Sequence, residues 1–130
     1  MKQLTALEII DETVAFYSED PSRRAFKNGN CIYQATNGNK CAIGRCMNEA
    51  GLQQFGNSND SVDSLGLDEP LDTFLQEQYH GQNSNFWGEL QTFHDMPRNW
   101  NSSGITTQGI QEAQNLKTTF IHLTGAHVEN

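Results

Sequence analysis

The sequence predicts one α+β domain over residues 1–130, mostly helical, in which a β-hairpin at about residues 31–43 packs on four to five helices. A chain of 130 residues can bury one hydrophobic core without metals or disulfides. Apolar residues recur at steps of three and four in several segments, as they do on one face of a helix. Two strand-like runs flank Asn37-Gly38, and this dipeptide is a strong signal for a β-hairpin.

The first element is an amphipathic helix over about residues 4–18. Its apolar face consists of residues at helical spacing, which are Leu7, Ile10, Val14 and Tyr17. Pro21 ends the helix, because the residue before a proline is pushed out of helical geometry.

The hairpin comes next, with its strands before and after Asn37-Gly38. A two-residue loop places Cys41 opposite Gln34 and turns Cys31 and Cys41 to opposite faces of the hairpin. A disulfide between these two cysteines is therefore not expected, and only a four-residue loop would bring Cys31 opposite Cys46.

The middle of the chain predicts a short helix, a loop and a longer helix. The short helix covers 46–52, and the turn formers of 56–69 indicate a loop. A longer helix begins with Asp68 as its N-cap and ends at Gly81. Its apolar face contains Leu71, Phe74, Leu75 and Tyr79.

Two further helices complete the fold. One of them stops before Pro97, and the loop 96–104 that follows contains Trp100. The other begins at Thr106 or Thr107 and ends near Gly125, before a frayed tail at 126–130. Their apolar faces contain Phe86, Leu90 and Phe93 in the first and Ile110, Ala113, Leu116, Phe120 and Leu123 in the second.

The charge is acidic overall and uneven along the chain. Eight Lys or Arg against sixteen Asp or Glu give a formal net charge of -8, which disfavours general binding to nucleic acid. The stretch 21–50 nevertheless holds five of the eight basic residues and a single acid, Glu49. This basic island either pairs with the protein's own acids or holds a phosphorylated ligand or an acidic partner. Its members are Arg23, Arg24, Lys27, Lys40 and Arg45.

The cysteines predict thiols rather than disulfides or a metal site. The first residues lack the pattern of a signal peptide, so we expect a reducing cytoplasm. The spacing of Cys31, Cys41 and Cys46 matches no paired zinc motif, and we expect neither a metal nor a cofactor. Small buried apolar groups are the simplest interpretation of these cysteines. The alternative makes Cys41 or Cys46 a nucleophile, with His94 as base and Asp95 or another acid orienting it.

Aromatic residues are concentrated in residues 86–100. Most of them follow a helical stripe and predict core, but Trp87 lies beside the stripe and Trp100 lies in a polar loop. Large rings in such places serve as interface anchors or as platforms for a nucleotide base. The predicted ligand- or partner-binding residues are Arg23, Arg24, Lys27, Tyr33, Arg45, Trp87 and Trp100.

One sequence motif resembles those of other proteins. Residues 30–33 read N-C-I-Y, and residues 38–46 read G-N-K-C-A-I-G-R-C. This hairpin is similar to the C-x-Y … G-x-x-C-A-[IV]-G hairpin of small uncharacterised proteins encoded by bacteriophages and prophage-bearing bacteria. The His94-Asp95 pair and Trp100 fall in a segment that resembles the later part of those proteins. The resemblance covers about residues 30–100 and implies a phage accessory protein in a bacterial cytoplasm, with no catalytic residue transferred.

These observations lead to three functional hypotheses. The leading one is a non-catalytic binding or inhibitory module that acts on a host protein, for example a defence protein. The second is a small-ligand sponge that sequesters a nucleotide signal through the basic island, and the third is a cysteine-dependent hydrolase. No apolar run is long enough for a membrane span, and a homodimer is compatible with all three hypotheses.

Overall fold

The computed structural model describes residues 3–20, 23–24, 26–27, 30–35, 38–56 and 70–124. Within these ranges the chain is mostly helical, with short antiparallel strand pairs, so the predicted α+β class is confirmed. The helices are α1 (Ala6–Glu19), α2 (Glu49–Phe55), α3 (Ser84–Asp95) and α4 (Thr107–Thr124). The strands are β1 (Phe26–Lys27), β2 (Asn30–Cys31), β3 (Trp100–Asn101) and β4 (Gly104–Ile105).

Helix α1 begins with a capping box. The side chain of Thr5 accepts a hydrogen bond from the backbone of Glu8, whose carboxylate accepts one from the backbone of Thr5. Of the predicted apolar stripe, Ile10 and Tyr17 are buried, whereas Leu7 and Val14 are only partly buried. The observed bounds of the helix differ from the predicted ones by one or two residues. Residues buried on this face are Ala6, Ile9, Ile10, Thr13 and Tyr17.

The strands do not lie where the Asn37-Gly38 signal predicts them. β1 pairs with β2, and β3 with β4, whereas the described residues of the predicted hairpin form an isolated bridge between Gln34 and Lys40. Cys41 donates its amide to Tyr33 O at 3.2 Å, so the register differs by one residue from the predicted pairing of Cys41 with Gln34. Asn37 is outside the described residues, and Gly38 has a φ of 92°, as a tight turn requires.

The predicted helix that ends at Gly81 is wrong over its described part. The chain forms two 3-10 turns there, Leu71–Phe74 and Glu77–Tyr79. Between them Leu75 is extended, with φ -112° and ψ 151°, and bridges Met47. This backbone pairing replaces helical hydrogen bonds, while the apolar side chains still reach the core. The predicted cap Asp68 is outside the described residues.

Of the remaining helices, α3 and α4 match their predictions closely, whereas α2 begins and ends three residues later than the predicted helix 46–52. Asn48 caps α2 and Asn83 caps α3, each through a side-chain oxygen that accepts a backbone amide hydrogen. The loop before α4 contains a 3-10 turn, Pro97–Asn99, followed by the β3–β4 pair. Ile110 is the exception, because it is 51% exposed although its spacing predicts a core position.

The core lies where α4 packs against α1 and α3. Aromatic rings meet edge to face through it, for example Phe86 with Phe120 at 5.2 Å between centroids. Gly44 lies directly against the backbone of Tyr33, since a Cβ there would lie 1.9 Å from Tyr33 O. Only glycine allows the segments 32–33 and 41–46 to pack this closely.

Candidate functional site

Arg45 lies in a closed polar cluster rather than on an open surface. Its Nη1 lies 2.8 Å from Glu12 Oε1, and its Nη2 donates to Thr13 Oγ1 at 3.3 Å. The hydroxyl of Tyr79 donates to the same Glu12 oxygen at 2.5 Å. The Arg45 side chain is only 13% exposed, so the guanidinium already has its carboxylate and has little access to a phosphate.

Arg23 and Arg24 also have contacts of their own. Arg23 forms an ion pair with Glu19 at 2.6 Å, and its guanidinium and that of Arg45 lie 4.6 Å and 5.5 Å from the centroid of the Phe16 ring. Arg24 donates to the carbonyl oxygen of His94 at 3.5 Å. Lys27 is in β1, and its side chain is not described. For Arg23 and Arg45 the structure therefore shows pairing with the protein's own acids.

The three aromatic residues predicted to bind a partner or ligand are buried. Exposure is 3% for Tyr33, 0% for Trp87 and 6% for Trp100. The indole of Trp100 donates to the carbonyl oxygen of His94 at 3.0 Å, and this bond fixes the predicted loop residue against α3. Trp87 lies beside a helical stripe and Trp100 in a polar loop, but neither position left the ring exposed. The structure places all three rings in the core.

His94 and Asp95 form the base and orienter of the predicted catalytic constellation. His94 Nδ1 lies 2.9 Å from Asp95 Oδ1, which also accepts a hydrogen bond from Gln91 Nε2 at 2.9 Å. His94 Nε2 is buried and has no hydrogen-bond partner among the described residues. The ring of Tyr17 covers the imidazole at 4.6 Å between centroids. Burial lowers the pKa of His94, and the bond to Asp95 offsets this only in part.

The described cysteines are buried free thiols. Cys41 Sγ accepts a hydrogen bond from the Gly44 amide at 3.3 Å, and Cys46 Sγ donates to Ala42 O at 3.5 Å. Burial raises the pKa of Cys46 to about 12, although the neighbouring Arg45 acts in the opposite direction. The side chain of Cys31 is not described. Because neither described thiol meets His94 Nε2, the dyad and a nucleophile are not brought together in the described part of the chain.

The described residues show neither a metal-binding cluster nor a membrane-spanning helix. The described residues include no group of three or more His, Cys, Asp or Glu side chains placed to hold a metal ion. Among the same residues, no helix combines the length and the apolar character that a membrane crossing requires.

Acidic residues are concentrated in one segment of the chain that contains none of the predicted binding residues except Trp87. No Lys or Arg occurs between Arg45 and Arg98, and residues 46–97 hold nine of the sixteen acids. This acidic segment contains Glu49, Asp60, Asp63, Asp68, Glu69, Asp72, Glu77, Glu89 and Asp95. The absence of Lys and Arg between Arg45 and Arg98 is visible in the sequence and could have identified this segment.

The described acids of the acidic segment differ from several acids outside it in their ion pairing. Outside the segment, four acids pair with Arg or Lys. These pairs are Glu12 with Arg45, Glu19 with Arg23, Asp11 with Lys117 and Glu112 with Arg98. Inside it, Glu49, Glu77 and Glu89 are exposed and join no Arg or Lys of the described residues.

Comparisons with family models, with curated proteins and with solved structures gave no match.

Proposed function

We propose that this chain is a non-catalytic binding module whose acidic segment docks on a basic surface of a bacterial host protein and blocks it. The observation that carries the proposal is the set of exposed carboxylates at Glu49, Glu77 and Glu89, which pair with no Arg or Lys in the part of the chain that the structure describes. The negative charge of such a carboxylate is not neutralised by a neighbouring Arg or Lys, so it attracts a basic surface on a partner. This attraction speeds association and favours basic partners over acidic ones.

The fold supports a common surface for two of these carboxylates. α2 and the 3-10 turn Leu71–Phe74 pack together, and the Asn48 amide donates to Phe74 O at 2.9 Å. The Gln76 amide donates to Cys46 O, also at 2.9 Å. Glu49 and Glu77 therefore project from segments that share a backbone framework.

The resemblance of the C-x-Y … G-x-x-C-A-[IV]-G hairpin to phage-encoded proteins supports a host protein as the partner. An accessory protein made in an infected bacterium acts in its cytoplasm, where defence proteins and nucleic-acid enzymes present basic grooves. An acidic surface competes for such grooves by charge.

The test compares two triple variants with the same total charge. The segment variant carries Glu49→Gln, Glu77→Gln and Glu89→Gln, and the control variant carries Asp11→Asn, Glu19→Gln and Glu112→Gln. Both remove three carboxylates, but the control leaves the acidic segment intact. Tagged wild-type protein is used to capture a partner from bacterial lysate, and titration calorimetry then measures the affinity of the purified pair.

We expect the segment variant to lose at least about tenfold in affinity, with a flatter dependence on salt, while the control retains the wild-type affinity. Equal loss in both variants would mean that net charge alone is responsible. Unchanged binding by the segment variant would contradict the proposal.

The alternative functions have less support from the geometry. A nucleotide sponge requires an available Arg45, which Glu12 and Thr13 already bind. A cysteine hydrolase requires an accessible thiolate, but Cys46 is buried and its pKa is raised. Native mass spectrometry of protein purified gently from bacteria tests the sponge directly, because a retained nucleotide adds mass that is lost on denaturation.

A further inference from the structure

We draw no further inference here: the strongest candidate, the buried His94 side chain in the last turn of α3, has an Nε2 atom without a hydrogen-bond partner among the described residues, but nothing in the structure shows what this atom binds, and the lowered pKa of His94 does not by itself define a switch.

Discussion

Arg45 and Glu12 are 33 positions apart in the chain, and their ion pair of 2.8 Å joins the 3-10 turn Gly44–Cys46 to α1. Tyr79 donates its hydroxyl to the same carboxylate oxygen, so a third segment is held at the same point. Burial raises the pKa of Tyr79, and its hydrogen bond to Glu12 acts in the same direction, so the hydroxyl stays a donor at neutral pH. Arg45 thus fixes the relative positions of three segments.

Replacing Arg45 by Met should lower the free energy of unfolding by about 2 kcal/mol, because hydrogen bonds to a largely buried charge are lost while the side-chain volume is retained. Urea unfolding followed by circular dichroism measures the change. The matched control is Arg98→Met, which removes a pair between Arg98, 49% exposed, and Glu112. We expect the control to cost less than about 1 kcal/mol. Equal costs for the two variants would contradict the structural role of Arg45.

Gly44→Ala should destabilise the fold by about 3 kcal/mol or more, because the added Cβ would lie 1.9 Å from Tyr33 O and a backbone segment would have to move. Chemical denaturation measures the loss. A variant as stable as the wild type would show that segments 32–33 and 41–46 do not pack as described.

Gly88→Ala is predicted to change stability in the opposite direction. Gly88 lies inside α3, and a Cβ there would meet no atom within 4 Å. Alanine favours the helix over glycine by about 1 kcal/mol, so the midpoint of urea unfolding should rise by a corresponding amount. A fall in the midpoint would mean that this face of α3 is covered.

The helices with complete local signals were predictable from the sequence. α1 and α3 each have a cap, an apolar stripe and a clear end, and their bounds follow from short-range rules. The segment 70–80 has the same helical stripe, but Leu75 pairs with Met47 instead. That pairing joins positions far apart in the chain, and no local pattern encodes it.

The candidate site was predictable only in part. The adjacent His94 and Asp95 were correctly paired, since neighbouring residues need little tertiary information to meet. The partner of Arg45 was not identified, because Glu12 reaches it only after α1 packs on the turn. Burial of Trp87 and Trp100 also depends on tertiary packing, since α4 packs on α3 and the Trp100 ring contacts Tyr17 and Phe93.

Stability should depend on pH through His94. Burial lowers its pKa below the ordinary 6.5, so on acidification the unfolded chain takes up a proton before the folded one does. The stability is therefore fully present above pH 6.5 and falls as the pH drops below it, by at most about 1.4 kcal/mol per pH unit from this group. Urea unfolding from mildly acidic to neutral pH measures the slope.

His94→Gln should flatten that slope, because glutamine does not titrate. The variant also lowers stability at every pH, since it changes a fully buried side chain, so the readout is the slope rather than the absolute value. A variant with the wild-type slope would mean that other groups cause the acid sensitivity.

Cys41 and Cys46 should resist alkylation in the folded protein. Both thiols are fully buried, and burial raises the pKa of Cys46 to about 12, so almost no thiolate is present or accessible at neutral pH. Iodoacetamide should therefore modify them only as fast as the chain opens, and rapidly once urea unfolds it. Peptide mapping by mass spectrometry measures the alkylation of Cys41 and of Cys46 separately from that of Cys31. Rapid labelling of Cys46 in the native protein would contradict its burial and would favour the cysteine hydrolase over the binding module.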